Sequence, residues 1–532
     1  ISAIAEAEYI YECGMKLVIT DHHQQGDTLP RAEAIVDPHR HDCPSEFKHM
    51  CGAGLALKLT AALDGGDYTL AMEQFSDLAA IATVADIVSL TGENRFLVSE
   101  GMRLIDDTDR PALLALKKVC GLEDKEIDST SIGFGLAPRI NASGRFGSPR
   151  TAAELFLCED PDEAFDIASE LDKLNTMRKS AENDIIAEIS AMIDSDPSII
   201  RKRVIYLSGK NWHHGVIGIV AARIQEMFGK PCFIASETDG EVRGSARAFG
   251  EFSVFEALTY ASDALSKFGG HPGAGGFTVK DGMTERFGEL LEEYAAANHE
   301  IMPLLSLSAD SPLTPAELTF QNVEDLKKLE PYGMGNEQPL FYIENAEITE
   351  IRPMGNGSHS MIKFKFGTTE YNAKMFRTSP DMLPVGKGDP AKMIVTLGIN
   401  EFRGNRSLDI LVKDIRPQMF EQNRFFSAQR SFEAMTRGEK LPNINYYKHM
   451  FPFQKEAAFV YRCIPEKGIN PERLFIKLGA QDINYAKFSC IIEAFRQLGL
   501  ISVSSAGQFI MKNKVTSRSD LFSAPILAFI RQ

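Results

Sequence analysis

Three side chains able to carry metal or proton chemistry stand together at the end of a short apolar run. Leu17-Val18-Ile19-Thr20 leads directly into Asp21, His22 and His23. One imidazole can ligate a divalent metal while a nearby carboxylate fixes its tautomer. The other can contact a phosphate or give up a proton. A His with several Asp suits manganese or magnesium, and two such ions would activate water and clamp a phosphoryl group. Asp86, in "TVADIVSL", is placed between apolar flanks as a further carboxylate. As a lone residue it could equally cap a turn.

A second group of residues suits anions. In "LAPRINASGRFGSP" (136–149), Arg139, Asn141 and Arg145 sit among small residues. Guanidinium forks match phosphate oxygens, and Gly144 and Gly147 let a ligand approach the backbone. Taken alone, the segment reads as a turn with solvated arginines. In "VRGSARAF" (242–249), Arg243, Ser245 and Arg247 alternate, which puts all three on one face of a strand. Two guanidiniums flanking a hydroxyl make a poor core, so an anion site is the better reading. In "FGGHPGAGGFTV" (268–279), Gly269, Gly270 and His271 form a Gly-rich turn whose amides could make an anion nest. The cluster His39, His41, Cys43, His49 and Cys51 matches no common structural zinc spacing, and a polar surface loop is expected there.

The elements that must hold these residues alternate between helix and strand. A helix over 2–13 stops at Gly14, and a strand over 16–20 ends at Asp21, where ligands sit in open parallel sheets. Helices are expected near 52–63 and 74–84. Residues 162–195 lack Gly and Pro and predict one long helix, ended by Pro197. A second α/β unit follows: strand "RVIYLSG", helix "GVIGIVAARIQEMFG", strands "PCFIAS" and "GEVRGSARAF", helix "SVFEALTYASDALSKFGG", strand "GGFTV". Residues 340–418 read as short strands and turns, and 419–532 as helices with a strand pair near 500–512.

The order DHH, VAD, PRINASGR, WHHGVIGIVAAR, GSAR, GGHPGAGG resembles the DHH–DHHA1 phosphoesterase superfamily and, within it, the RecJ single-strand-specific 5′→3′ DNA exonucleases. "LEPYGMGNEQPLF" (329–341) resembles the RecJ junction into an oligonucleotide-binding barrel. The resemblance runs from residue 1 to about 418. It implies an α/β chain of two lobes joined by a long helix, an OB-type barrel and an α+β C-terminal domain. The boundaries would be 1–160 (DHH), 161–197 (connecting helix), 198–310 (DHHA1), 311–339 (connection), 340–418 (barrel) and 419–532. It also implies roles: His22 and Asp86 as metal ligands, His23 beside the scissile phosphate, Asp21 supporting both. Arg145, Ser245 and Arg247 would hold DNA phosphates, with His271 and its glycines nearby. Gly275, Ser143 and Ala137 depart from the usual pattern, small residue for small. RecJ-like proteins carry an earlier Asp-x-Asp motif and a further Asp ahead of the stretch that opens here. An N-terminal truncation is therefore expected, and with it a fragment that is inactive alone.

Charge is uneven. The net balance is −16, with −25 over 1–339 and +9 over 340–532. A basic C-terminal part could meet a polyanion. In "MIKFKFG", Lys363 and Lys365 alternate with Phe364 and Phe366, which predicts buried Phe and a Lys face able to track phosphates. Tyr371, Phe376 and Phe402 are stacking candidates. Eight cysteines without a CxxC fit free thiols in a reducing cytoplasm, and no run of 18 apolar residues marks a membrane span. The expected activity is Mn²⁺- or Mg²⁺-dependent exonuclease action on single-stranded DNA, in repair and recombination. Candidate protein partners are a single-strand-binding protein and a helicase, and a monomer is expected. The alternatives are a non-catalytic single-strand-binding scaffold and a small-nucleotide phosphodiesterase of the same superfamily.

Overall fold

The computed structural model describes residues 1–532 apart from 403, 480–482, 516–518 and 532. The fold is mixed α/β, as the sequence predicts, and divides into two compact units. Unit 1 comprises residues 1–180 and 325–338, unit 2 residues 181–324 and 339–532. Among the described residues no helix is long and apolar enough to cross a membrane.

Unit 1 opens with α1 (Ile4–Glu12), closed by Gly14 at φ +75°, a left-handed value glycine adopts without a Cβ clash. Strand β1 (Val18–Thr20) pairs in parallel with β2 (Ala34–Val36). Next come α2 (Gly52–Leu63), α3 (Tyr68–Ala85), α4 (Gly92–Asp106) and α5 (Pro111–Cys120). Helix α3 starts earlier than periodicity alone predicts, because the Asp67 carboxylate accepts from the Thr69 and Leu70 amides and caps it. The turn reading of 136–149 is corrected. A π-helix, Ser131–Leu136, runs straight into α6 (Ala137–Phe146), followed by α7 (Pro149–Leu157). Pro138 lies in the first turn of α6, directly after the π-helix, and Ala142 and Ser143 are buried.

Helix α8 (Pro161–Ser195) is the expected long helix, its residues divided between the units. The Asp160 carboxylate caps it by accepting from the amides of Asp162 and Glu163. Ala164, Ala168 and Leu171 face one core, while Ile185, Ile189 and Ile193 are buried further along. This is the three-and-four spacing of an amphipathic helix.

Unit 2 begins with β3 (Ile205–Lys210), α9 (His214–Phe228), β4 (Cys232–Thr238), β5 (Glu241–Arg247) and α10 (Val254–Tyr260). Then come β6 (Leu265–His271), β7 (Ala274–Val279) and α11 (Thr284–Asn298). The strand order is β3-β4-β5-β7-β6, with β3 and β4 parallel and the other pairs antiparallel. The expected helix over "SVFEALTYASDALSKFGG" is corrected, since it stops at Tyr260 and residues from Leu265 form a strand. Glycine is a poor helix former, and here Gly269 and Gly270 pair with Gly276 and Gly275. A Cβ on Gly270 would stand 2.4 Å from the Ala274 carbonyl oxygen, so the close pairing needs glycine. His271 is therefore not in the turn. It is the last residue of β6, opposite Ala274, and the turn is Pro272-Gly273.

After β8 (Ser311–Pro312) and α12 (Phe320–Asp325) come β9 (Phe341–Met354), β10 (His359–Phe366), β11 (Thr369–Met375), β12 (Pro390–Phe402) and β13 (Asn405–Pro417). Strand β9 pairs with both β10 and β12, β10 with β11, β11 with β13, and β13 with β12, so these five close into a barrel. The C-terminal domain holds α13 (Gln422–Thr436), α14 (Ile444–Met450), α15 (Gln454–Cys463), α16 (Pro471–Leu478), α17 (Tyr485–Gln497), the hairpin β14 (Ile501–Ser504) and β15 (Phe509–Lys512), and α18 (Pro525–Arg531). Its acidic residues meet the residues around β3: Arg201 bonds Glu493 (2.6 Å), Lys230 bonds Glu433 (2.8 Å) and Arg203 bonds Glu439 (3.2 Å).

Candidate active site

Strand β1 ends at Thr20, and the Asp21 amide still reaches back to the Val36 carbonyl, 3.0 Å away. That bond fixes the height at which Asp21 leaves the sheet. Its Oδ1 accepts from the His22 amide (2.7 Å), the His23 amide (3.2 Å) and the His23 ring Nδ1 (2.7 Å). Partial burial pushes the Asp21 carboxyl up, while the bonds from the His23 ring and the two amides hold it down. An ionised Asp21 accepts, so the proton on His23 resides at Nδ1. This leaves Nε2 of a ring that is 73% exposed as the free acid–base position.

His22 turns the other way. Its Nδ1 lies 3.5 Å from Oδ2 of Asp86, the C-terminal cap of α3. Donors about 2.1 Å from an octahedral ion stand roughly 3 Å apart, so this nitrogen and oxygen are placed to share one cation. Asp21, His22 and His23 also offer ligand atoms within 4.8 Å of one another. The donor set therefore fits a divalent metal. Cys51, which caps α2 through its Sγ, lines the same cavity of about 480 Å³, together with His22, Asp86 and Asn141.

The sequence-predicted residues of unit 1 separate. Asn141 joins His22 and Asp86. Arg139 does not: its Nε bonds Asp172 (2.8 Å) and its Nη1 the Gly135 carbonyl (2.8 Å), which makes it a strut between α6 and α8. Arg145 lies beside Arg178; partial desolvation, then that like charge, holds its guanidinium below the ordinary arginine value. Gly52 was missed in sequence, and Cys51, expected in a polar surface loop, is buried beside it at the cavity. A Cβ on Gly52 would come within 3.7 Å of His22 Cδ2, a proximity created only by folding.

In unit 2, β5 presents Arg243, Ser245 and Arg247 on one face as alternation requires. Arg247 Nη1 donates to Ser245 Oγ at 3.0 Å. Arg243 is half exposed and 3.7 Å from Glu241. Gly218 of α9 was also missed. A Cβ there would lie 3.1 Å from Ser245 Oγ and 3.2 Å from Arg247 Nη2, so glycine lets α9 pack closely against the pair. His271 is exposed at the end of β6, accepting at Nδ1 from the Gly273 amide. In the barrel, Phe364 and Phe366 are buried, as expected, while Lys363 pairs with Glu370 (2.9 Å) and Lys365 is exposed. Tyr371 packs across from Phe364, and Phe376 is half exposed against His359. The Phe402 side chain lies outside the described residues.

Three family models match the chain: a DHH family N-terminal domain over residues 1–83, a DHHA1 domain over 201–300 and a RecJ OB domain over 309–414. The single-stranded-DNA-specific exonuclease RecJ of Escherichia coli is 33% identical over 447 residues, covering 78% of this chain and 76% of that protein. The chain belongs to the RecJ family. RecJ of Bacillus subtilis is 31% identical over 78% of this chain, which spans only 52% of that longer relative. Among solved structures, RecJ of Thermus thermophilus in complex with Mn²⁺ matches with a TM-score of 0.67 and 30% identity, over 78% of this chain and 60% of that one. No family model reaches past residue 414, so the domain carrying α13 to α18 lies outside all three matches.

Proposed function

We propose that the site holding His22 and Asp86 serves hydrolysis of phosphodiester bonds of single-stranded DNA from the 5′ end, using Mn²⁺ or Mg²⁺. One observation carries the reading: His22 Nδ1 and Asp86 Oδ2, 3.5 Å apart, open with Asn141 onto a single cavity. The RecJ relatives, described as single-strand-specific exonucleases, supply the substrate class. A divalent cation held by His22 and Asp86 would offset phosphoryl charge and acidify a bound water. The rest is the work of the chain itself. Asp21 orients the His23 ring, whose Nε2 can hold or deliver a proton at the scissile phosphate. Asn141 can donate an amide hydrogen to a phosphate oxygen. Arg247 and Ser245 suit a terminal or backbone phosphate, and Lys365 on the barrel suits the following strand. The barrel favours a polymer over a small nucleotide as substrate.

The test is release of nucleotides from a 5′-labelled single strand, a blunt duplex and a dinucleotide with Mn²⁺ present. Preference for the single strand, abolished by Asp86→Ala, supports the reading. Equal turnover of the dinucleotide favours the small-nucleotide phosphodiesterase. Binding without cleavage favours the scaffold.

A further inference from the structure

We propose that residues 326–336, which lead towards the barrel, form a clasp that positions Asp86, with Arg95 as its positioning residue. The inference rests on Asp86 being a metal ligand, as proposed above. Asp86 ends α3, and the next residue, Ile87, has φ +58°. A β-branched residue is rarely found in that left-handed region and persists there only where its surroundings hold it. The restraint comes from the residues just beyond. The Leu90 amide donates to the Met334 carbonyl at 2.7 Å. Asn94 Nδ2 donates to the Ser89 carbonyl (2.9 Å) and the His49 carbonyl (2.6 Å).

The opposite side of the contact is equally specific. A Cβ on Gly333 would stand 2.6 Å from Leu90 Cδ1, and one on Gly335 2.4 Å from Ser89 Oγ. Gly335 also has φ +73°, a left-handed value that favours glycine, and a side chain at Gly333 would displace the buried Leu90. Arg95 Nη2 gathers the carbonyls of Leu329 (2.9 Å), Glu330 (3.3 Å) and Lys328 (3.5 Å). Asn336 Nδ2 ties back to the Leu329 (2.9 Å) and Pro331 (2.8 Å) carbonyls. The segment 325–338 packs within unit 1, although the chain on both sides of it belongs to unit 2. A connection needed only for its length would not bond both to that loop and to the helix that follows it. What this one grips is the loop that leaves the metal-ligand carboxylate.

Arg95→Ala removes three carbonyl contacts, and Gly335→Ala pushes on Ser89 from the other side. In each variant of the 532-residue chain, hydrogen exchange over residues 86–91 should accelerate while that of the buried face of α3 stays unchanged. Mn²⁺ affinity, followed by electron paramagnetic resonance of the free ion, should fall roughly 10-fold, the lower end of what outer-shell substitutions cost. Arg95→Lys, which can still donate to a carbonyl, should fall between wild type and Arg95→Ala. Unchanged exchange at 86–91 in both variants overturns the clasp. Faster exchange with unchanged Mn²⁺ affinity, where Asp86→Ala loses it, overturns the positioning role. Unaltered Mn²⁺ binding in Asp86→Ala overturns the ligand assignment instead, and the exchange results still judge the clasp.

Discussion

The Asp-His-His end of β1 and the Arg-Ser-Arg face of β5 are both polar, but they are built differently. At β1, the groups are collected from a strand end, a helix end and the middle of α6, and they already engage one another: Asp21 with His23, His22 with Asp86. At β5, one continuous strand places Arg243, Ser245 and Arg247 on one face by its pleat, and the Arg247–Ser245 hydrogen bond joins two of them along that strand. The first region has its donors held by one another and suits chemistry that needs fixed geometry. The second keeps cationic groups together on a sheet face and suits a mobile polyanion. Under the proposed function, reaction geometry and substrate grip would rest on separate kinds of backbone.

If that division is right, the largest effect belongs to the first region. His22→Ala or Asp86→Ala should lower nuclease turnover by several orders of magnitude, with single-strand binding retained, because charge stabilisation by the metal is lost. Steady-state rates with Mn²⁺ and a binding isotherm check this. Near-normal turnover in either variant would move the metal site elsewhere.

In the second region, Arg247→Ala should reduce the preference for 5′-phosphorylated over 5′-hydroxyl ends. A charge-assisted contact is worth about 1.5–3 kcal/mol, so the kcat/KM ratio should fall roughly 10- to 100-fold. An unchanged ratio would assign the strand to general backbone contact.

A smaller effect is expected at the barrel. Lys365→Ser should reduce the log–log salt slope of single-strand binding by about 0.7, the share of one phosphate. Deleting the whole C-terminal part is a poorer test. It would strip Arg201, Arg203 and Lys230 of their partners Glu493, Glu439 and Glu433 and leave charges unpaired at the cut.

The smallest effect concerns acid stability. Burial pushes the Glu493 carboxyl up, but Arg496 and Arg201 outweigh it and hold it below its ordinary value. A carboxyl depressed in the folded state contributes stability that is fully present above its unfolded pKa, about 4.3, and lost as pH falls through the folded value. Thermal unfolding of wild type should therefore decline below about pH 4.3 more steeply than that of Glu493→Gln. Parallel pH profiles would remove Glu493 from the acid response.

Local chemistry was readable wherever one element carries the whole pattern. Alternation in "VRGSARAF" and "MIKFKFG" predicted which side chains share a face, and the absence of Gly and Pro over 162–195 predicted α8, because strand and helix periods depend only on neighbours along the chain. The amino-acid order likewise placed Asp21, His22 and His23 at a strand end. It did not reveal that Asn141 belongs to the cavity while Arg139, two residues earlier, is bound to Asp172. That choice depends on the helical phase of α6, set by the π-helix before it and by the helices it packs against. Nor could local propensity distinguish helix from strand over 265–271, where pairing with Gly275 and Gly276 decides. The 3.5 Å approach of His22 to Asp86 and the packing of residues 325–338 on the loop after α3 join positions far apart in sequence. Only tertiary structure makes such contacts, because their free energy depends on surfaces that do not exist until both partners have folded.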